Sequence, residues 1–142
     1  MENFDGTIGS ITTAVLQCGL KPTTKLQLVA VKDIGAVAVG VFKNPEPYEK
    51  KVLVITGDFL TMQEQQAAYQ RATGRPRPAI PATLARILLA INSHTRDLIN
   101  VLERVYEART SGAMPELESQ IELAKKAYPN MQTFEEWAKG KL

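Results

Sequence analysis

Between Leu26 and Gln66 the apolar positions change period twice. Leu26-Gln-Leu-Val-Ala-Val31 is apolar and partly β-branched, the composition of a buried strand. Ile34, Val37, Ala38, Val41 and Phe42 then recur at helical spacing and make one apolar stripe. Asp33 stands where its carboxylate accepts from the free N–H groups of the first turn, as a helix N-cap. Asn44-Pro45-Glu46-Pro47 stops this helix, because proline lacks the N–H and restricts the residue before it. Val52–Ile55 is apolar without alternation, which predicts a strand covered on both faces. Gly57-Asp58 ends it, and Thr61-x-x-Glu64 is a capping box that opens the next helix. Strand, helix, strand, helix in this order predicts parallel strands in a right-handed βαβ unit, with the ends of both strands facing a ligand crevice.

The rest of the chain is mostly helical in pattern. Met1–Gly9 is short and polar and predicts a loop; Ser10–Gln17 fits a short helix or a strand; Gly19–Pro22 is a turn. Met62–Ala72 predicts a helix ended by Thr73-Gly74. The prolines of Arg75–Pro81 predict an extended connector, on which Arg75 and Arg77 are either solvated charges or partners for a phosphate. Pro81–Ala108 predicts one long helix whose stripe runs through Leu84, Ile87, Leu88, Ile91, Thr95, Leu98, Leu102 and Val105 and packs on the core. Thr110–Met114 is a loop. Glu116–Ala127 predicts a further helix, broken at Tyr128-Pro129-Asn130. Thr133-x-x-Glu136 is a second capping box, for a terminal helix Phe134–Lys139 that docks through Phe134 and Trp137.

Composition changes this picture little. The chain has 142 residues, enough for one domain, with 44% hydrophobic and 23% charged residues. A net charge of +2 gives no reason to expect nucleic acid or an anionic membrane as partner. Cys18 is the single cysteine, so no intramolecular disulfide forms, and a reducing compartment, cytoplasmic or nuclear, is the simple expectation. No apolar run approaches the roughly 20 residues of a membrane span, and no secretory leader opens the chain.

Candidate chemistry is sparse. Gly6-x-x-Gly9-x-x-Thr12 has the outline of a phosphate loop. The dinucleotide fingerprint, however, needs a preceding strand and a third small residue, so an ordinary loop is the better reading. Asp33 and Asp58 follow strands, as catalytic carboxylates can, but each also has a cap or turn explanation. His94 is a lone histidine without a partner that sequence can place. One cysteine and one histidine give no metal spacing. Tyr-x-x-x-Lys and the nucleophile elbow are absent, and no catalytic residue is assigned.

Several pieces in order carry a family resemblance: Glu2-Asn-Phe4, Leu26-Gln-Leu-Val-Ala-Val-Lys-Asp-Ile-Gly35, Phe42-Lys-Asn-Pro-Glu-Pro-Tyr48, Lys51-Val-Leu-Val-Ile-Thr-Gly57, Leu60-Thr61, Gly74-Arg-Pro76 and Thr133-Phe-Glu-Glu-Trp137. Together they resemble the NmrA-like family of atypical short-chain dehydrogenase/reductases, which includes relatives of isoflavone reductase. The resemblance implies an α/β fold: the C-terminal part of an NAD(P)-binding Rossmann-type protein, with one or two βα units and a mainly helical substrate-binding portion over residues 1–142. It implies NAD or NADP as the family's cofactor, with Asn3 and Phe4 near the nicotinamide end. The glycine-rich loop and the catalytic residues of the family would precede Met1, so no autonomous cofactor binding is expected. Three readings stay open. One is a truncated NmrA-like protein that supplies substrate-pocket walls. Another is an oxidoreductase whose cofactor half lies upstream or in another chain. The third is a redox-sensing regulator or interaction module. Open strand edges predict self-association or a Rossmann-type partner chain.

Overall fold

A computed structural model describes residues 1–140. Seven α-helices and two short strands are present among them: α1 Gly6–Gly19, β1 Lys25–Leu28, α2 Val31–Lys43, β2 Asp58–Thr61, α3 Met62–Thr73, α4 Ala82–Ile91, α5 Ser93–Thr110, α6 Leu117–Ala127 and α7 Phe134–Lys139. Single 3-10 turns cover Glu2–Phe4 and Glu46–Tyr48. The fold is thus α/β but mostly helical.

The capped helices form where their sequences place them. Thr61 accepts from the Glu64 amide while the Glu64 carboxylate accepts from the Thr61 amide, at 3.1 and 2.7 Å. Thr133 and Glu136 do the same for α7, at 3.2 and 2.8 Å. Gly74, at φ 71°, closes α3 in the left-handed conformation that glycine reaches without a Cβ penalty. The Met1–Gly9 segment is not a loop. Asp5 is extended and its carboxylate takes the Gly6 amide, so α1 starts at Gly6 and runs through the stretch that pattern left between helix and strand.

The sheet differs from the βαβ expectation. Its strands are antiparallel, with Lys25 opposite Thr61 and Leu28 opposite Asp58, and the second strand is Asp58–Thr61. Val52–Ile55 is not a strand. Its apolar residues are exposed or half-buried, and Val54 donates one backbone hydrogen bond, to Gln120 O at 3.3 Å. The turn over Glu46–Tyr48 and a left-handed Lys50 (φ 56°) lead the chain past α6, so it approaches β1 from the direction that antiparallel pairing needs. The Gly57 amide then extends the ladder to Leu28 O at 2.8 Å.

Three further expectations fail, the first two for long-range reasons and the third for a local one. Helix α2 begins at Val31, two residues before Asp33, so Asp33 lies inside the first turn and is fully buried. Of the α2 stripe only Val37 is buried; Ile34 and Phe42 are 44% and 81% exposed, because the buried side of the helix packs on α6. Gly40 lies against the Ala127 carbonyl there, where a Cβ would come within 2.1 Å. The long helix Pro81–Ala108 is two helices broken at Asn92. Asn92 caps α5 through the Thr95 amide at 3.2 Å, and Arg96 closes α4 by donating to Leu89 O and Ala90 O.

The core lies between α1, the sheet, α3 and α7. Leu16, Leu26, Leu28, Ala68, Phe134 and Trp137 are buried in it. Its least expected member is Arg77, 4% exposed, whose guanidinium lies 4.6 Å from the centre of the Phe4 ring and 5.6 Å from that of Phe134. Its Nη1 donates to Gln65 Oε1 at 2.9 Å. Burial pushes this guanidinium down to about 10, so it remains charged at neutral pH and the aromatic faces take the place of a counter-ion.

Two substitutions separate the observed core from the predicted one. Phe134 is fully buried, and Phe134→Ala is expected to cost about 3–5 kcal/mol in urea unfolding. Val54 is half-buried outside any strand, and Val54→Asp is expected to cost less than about 1 kcal/mol. Loss of cooperative unfolding in Val54→Asp would return that run to the core.

Candidate functional site

One concavity is lined mainly by apolar groups. It measures about 440 Å³ and lies between the N-terminal turn, the sheet and α5. Ligand sites typically fall between about 300 and 1,000 Å³ and combine apolar walls with a few polar groups. Here Phe4, Leu26, Leu28 and Phe59 form one side, and Leu98, Leu102 and Val105 of α5 form the other. Phe59 and Tyr106 stand with ring centres 6.1 Å apart, tilted by 35°. The polar groups are Asn3, Thr12, Lys25, Gln27, Tyr106 and Arg109, and no carboxylate lines the cavity.

The stripe expected to pack on the core does so in part, through Leu88 and Leu102. On α5 it also forms the wall of this cavity, and Leu98 and Val105 are 53% and 44% exposed. Asn3 and Phe4 both line the same cavity. Phe59, Tyr106 and Arg109 were not singled out by sequence. The i, i+3 spacing of Tyr106 and Arg109 at the end of the apolar stripe is the one local signal that places them on that face.

Arg109 is the most constrained polar group. Its Cζ lies 3.9 Å from the centre of the Phe59 ring, and its Nη2 donates to Glu118 at 2.9 Å. Its Nη1 is shut off from solvent and has no acceptor.

The two carboxylates after the strands have structural work. Asp33 accepts from the Gln132 amide at 2.8 Å, and Asp58 accepts from the Phe134 amide at 3.1 Å. Neither lines the apolar cavity. Asp58 borders a separate, open hollow with Glu64, Glu135 and Glu136, whose carboxylates are committed to two capping boxes and to Arg71. Of the connector arginines, Arg75 is exposed and Arg77 is buried, so the latter is neither a solvated charge nor open to a phosphate. His94 is exposed in the first turn of α5. Among the described residues no cluster of three or more His, Cys, Asp or Glu is placed to hold a metal, and no helix is long and apolar enough to cross a membrane.

The fit of a dinucleotide turns on its pyrophosphate, which binds N–H groups at the start of a helix that follows a strand. Two helices here follow strands. At α2 the Val31 amide is taken by the Glu2 carboxylate at 3.2 Å, and Asp33 lies in the first turn. At α3 the Glu64 carboxylate fills the position. Negative charge therefore meets an incoming pyrophosphate at both. At α1, Asp5 holds the first amide, and the element directly before it is the 3-10 turn Glu2–Phe4. Gly9 there serves packing, because a Cβ would lie 2.1 Å from the Phe4 carbonyl carbon. The described residues do not fit a pyrophosphate.

In comparisons with known proteins, the NmrA-like family model matches residues 1–138. No curated protein and no solved structure matches the chain.

The capping boxes make stability sensitive to acid. The Thr61 amide, with help from Lys25, holds the Glu64 carboxyl below the ordinary range, and the Thr133 amide and hydroxyl do so for Glu136. A depressed folded-state value stabilises the fold above the unfolded value of about 4.3, and this contribution is lost as pH falls through the lower folded-state values. Melting temperature is expected to drop in that window, and a Glu64→Gln, Glu136→Gln double variant to show a shallower acid limb. Identical limbs would remove the caps from the account.

Proposed function

The chain belongs to the NmrA-like family, and we propose that it contributes the substrate-pocket portion of such a protein without binding NAD(P) on its own. The observation that carries this reading is the apolar cavity with Phe4, Phe59 and Tyr106 on its walls. A pocket of this size and character takes a small, largely apolar molecule. Asn3 and Phe4 border it, the two residues that the family resemblance puts near a nicotinamide. The carboxylates Glu2, Asp33 and Glu64 at the helix starts favour a dinucleotide held by residues outside this stretch. In that setting the protein is an NAD(P)-dependent oxidoreductase or a redox-sensing regulator, cytoplasmic or nuclear, and Asn3 and Phe4 adjoin the reactive end of the cofactor.

Two titrations test this. Calorimetry with NADPH is expected to show no binding at micromolar concentration; saturable micromolar binding would overturn the reading. The neutral probe N-phenyl-naphthylamine is expected to bind with a saturable rise in fluorescence. Val105→Trp, which fills the cavity from its half-exposed side, is expected to weaken that binding about tenfold with little change in melting temperature. Equal binding by parent and variant would remove the cavity from the account.

A second reading, an interaction module, draws on the outer face of α2. Val31, Ile34, Val39 and Phe42 are 61%, 44%, 52% and 81% exposed, and a Cβ on Gly35 would meet nothing within 4 Å. An apolar face of this kind pairs with another surface, and both strands of the two-stranded sheet have an open edge. In the isolated chain the partner is a second copy; in a full NmrA-like protein it is the Rossmann-type half. Sedimentation velocity at micromolar concentration is expected to show a dimer or larger species that Phe42→Glu returns to monomer. A monomeric parent would overturn this reading.

A further inference from the structure

We infer that the ligand of this cavity is an amphipathic anion, with a flat apolar body and one oxyanion such as a carboxylate, and that Arg109 receives the oxyanion. The inference rests on the reading of the cavity as a ligand pocket and adds the chemical class of the ligand. Three observations carry it. The first is charge: the lining includes Lys25 and Arg109 and no carboxylate. A cationic ligand therefore meets like charge, and an anionic one meets two cations whose paired carboxylates, Glu64 and Glu118, lie outside the lining.

The second is the state of Arg109. The guanidinium is held face-on against Phe59 at 3.9 Å, and its side chain is 15% exposed. Stacking fixes the plane of the fork, and a fixed fork loses little freedom when it grips a carboxylate. Glu118 is its ion-pair partner, at 2.9 Å, and is 72% exposed. An ion pair with so solvated a partner is weakly held, so Glu118 can yield to a ligand anion. Nη1 lacks any acceptor and is shut off from solvent, so the oxyanion is received at Nη2, where it takes the place of the exposed Glu118.

The third is shape. Phe59 neighbours both the guanidinium and Tyr106, with ring centres of Phe59 and Tyr106 6.1 Å apart. The aromatic wall thus continues from the anion receptor, so a ligand with its oxyanion at Arg109 lays its apolar body along Phe59, Tyr106 and Leu102. Lys25 is the weaker candidate for the receptor, because it is paired with Glu64 at 3.3 Å on a flexible stem and stacks on no ring.

Fluorescence titration of the full chain with two probes of similar body separates charge from shape: anilinonaphthalene sulfonate, which is anionic, and N-phenyl-naphthylamine, which is neutral. The parent is expected to bind both. Arg109→Gln is expected to weaken the sulfonate at least about tenfold and to leave the neutral probe unchanged, while Arg109→Lys keeps part of the sulfonate binding. Glu118→Gln, at an exposed position that folding does not depend on, is expected to tighten the sulfonate by freeing the guanidinium. Loss of both probes together in Arg109→Gln, or of neither, overturns the inference. Where Arg109→Gln loses its cooperative melt, the Glu118→Gln arm decides, and unchanged or weaker sulfonate binding overturns the inference. A parent that binds the neutral probe alone overturns the anion and leaves the pocket standing; a parent that binds neither overturns both.

Discussion

Two buried or half-buried carboxylates, Asp33 and Asp58, hold the backbone that leads into α7, and the rest of the structure depends on that clamp. They accept the amides of Gln132 and Phe134 at 2.8 and 3.1 Å. Hydrogen bonds to a charged acceptor are the stronger kind, and these join the start of α2 and the start of β2 to a segment more than seventy residues further on. Gly57 belongs to the same device, since a Cβ there would lie 2.2 Å from the Gln132 carbonyl oxygen. With its entry fixed, α7 delivers Phe134 and Trp137 to the core, their rings 5.4 Å apart and stacked. Arg71 ties the outer side of the same helix to α3 through Glu135 at 3.0 Å.

The cavity follows from this arrangement. Phe134 supports Phe4 edge-on at 6.1 Å, and Phe4 is both a wall of the cavity and one of the two rings that cover the Arg77 charge. The strand pair supplies the rest of that side, because antiparallel pairing of Leu26 with Leu60 and Gln27 with Phe59 sends Leu26 into the core and carries Phe59 toward α5. Glu103 ties α5 to the β1 approach by accepting from the Lys21 amide and the Thr24 hydroxyl, both at 2.8 Å. The helix is held there at Glu103, and Leu98, Leu102 and Val105 on either side of it face a space that the chain does not fill.

What the sequence made legible was local. Thr61-x-x-Glu64 and Thr133-x-x-Glu136 announce helix starts within four residues, and both caps form. Gly74 ends α3 for a reason contained in one residue. Most of the readings that failed needed distant partners. Val52–Ile55 has the composition of a buried strand, yet no strand lies beside it, whereas the polar-looking Asp58–Thr61 finds β1. The α2 stripe has the spacing of a buried face, but the side chosen for burial is the one on which Gly40 lets α6 approach. Asn92 breaks a helix because Arg96 and its own side chain satisfy the freed backbone groups, which the apolar period on either side conceals. The candidate site was legible in part: Asn3 and Phe4 came from the family resemblance, and the α5 stripe from its period. Arg109 and Phe59 were not, because their pairing across fifty positions exists only in the folded chain.

Amide hydrogen exchange followed residue by residue measures the clamp directly. If Asp33 and Asp58 organise the fold, the amides of Gln132 and Phe134 exchange only through global unfolding, as slowly as the amides that pair β1 with β2. Exchange of these two amides at the rate of an exposed loop, with the strand amides still protected, would contradict the account.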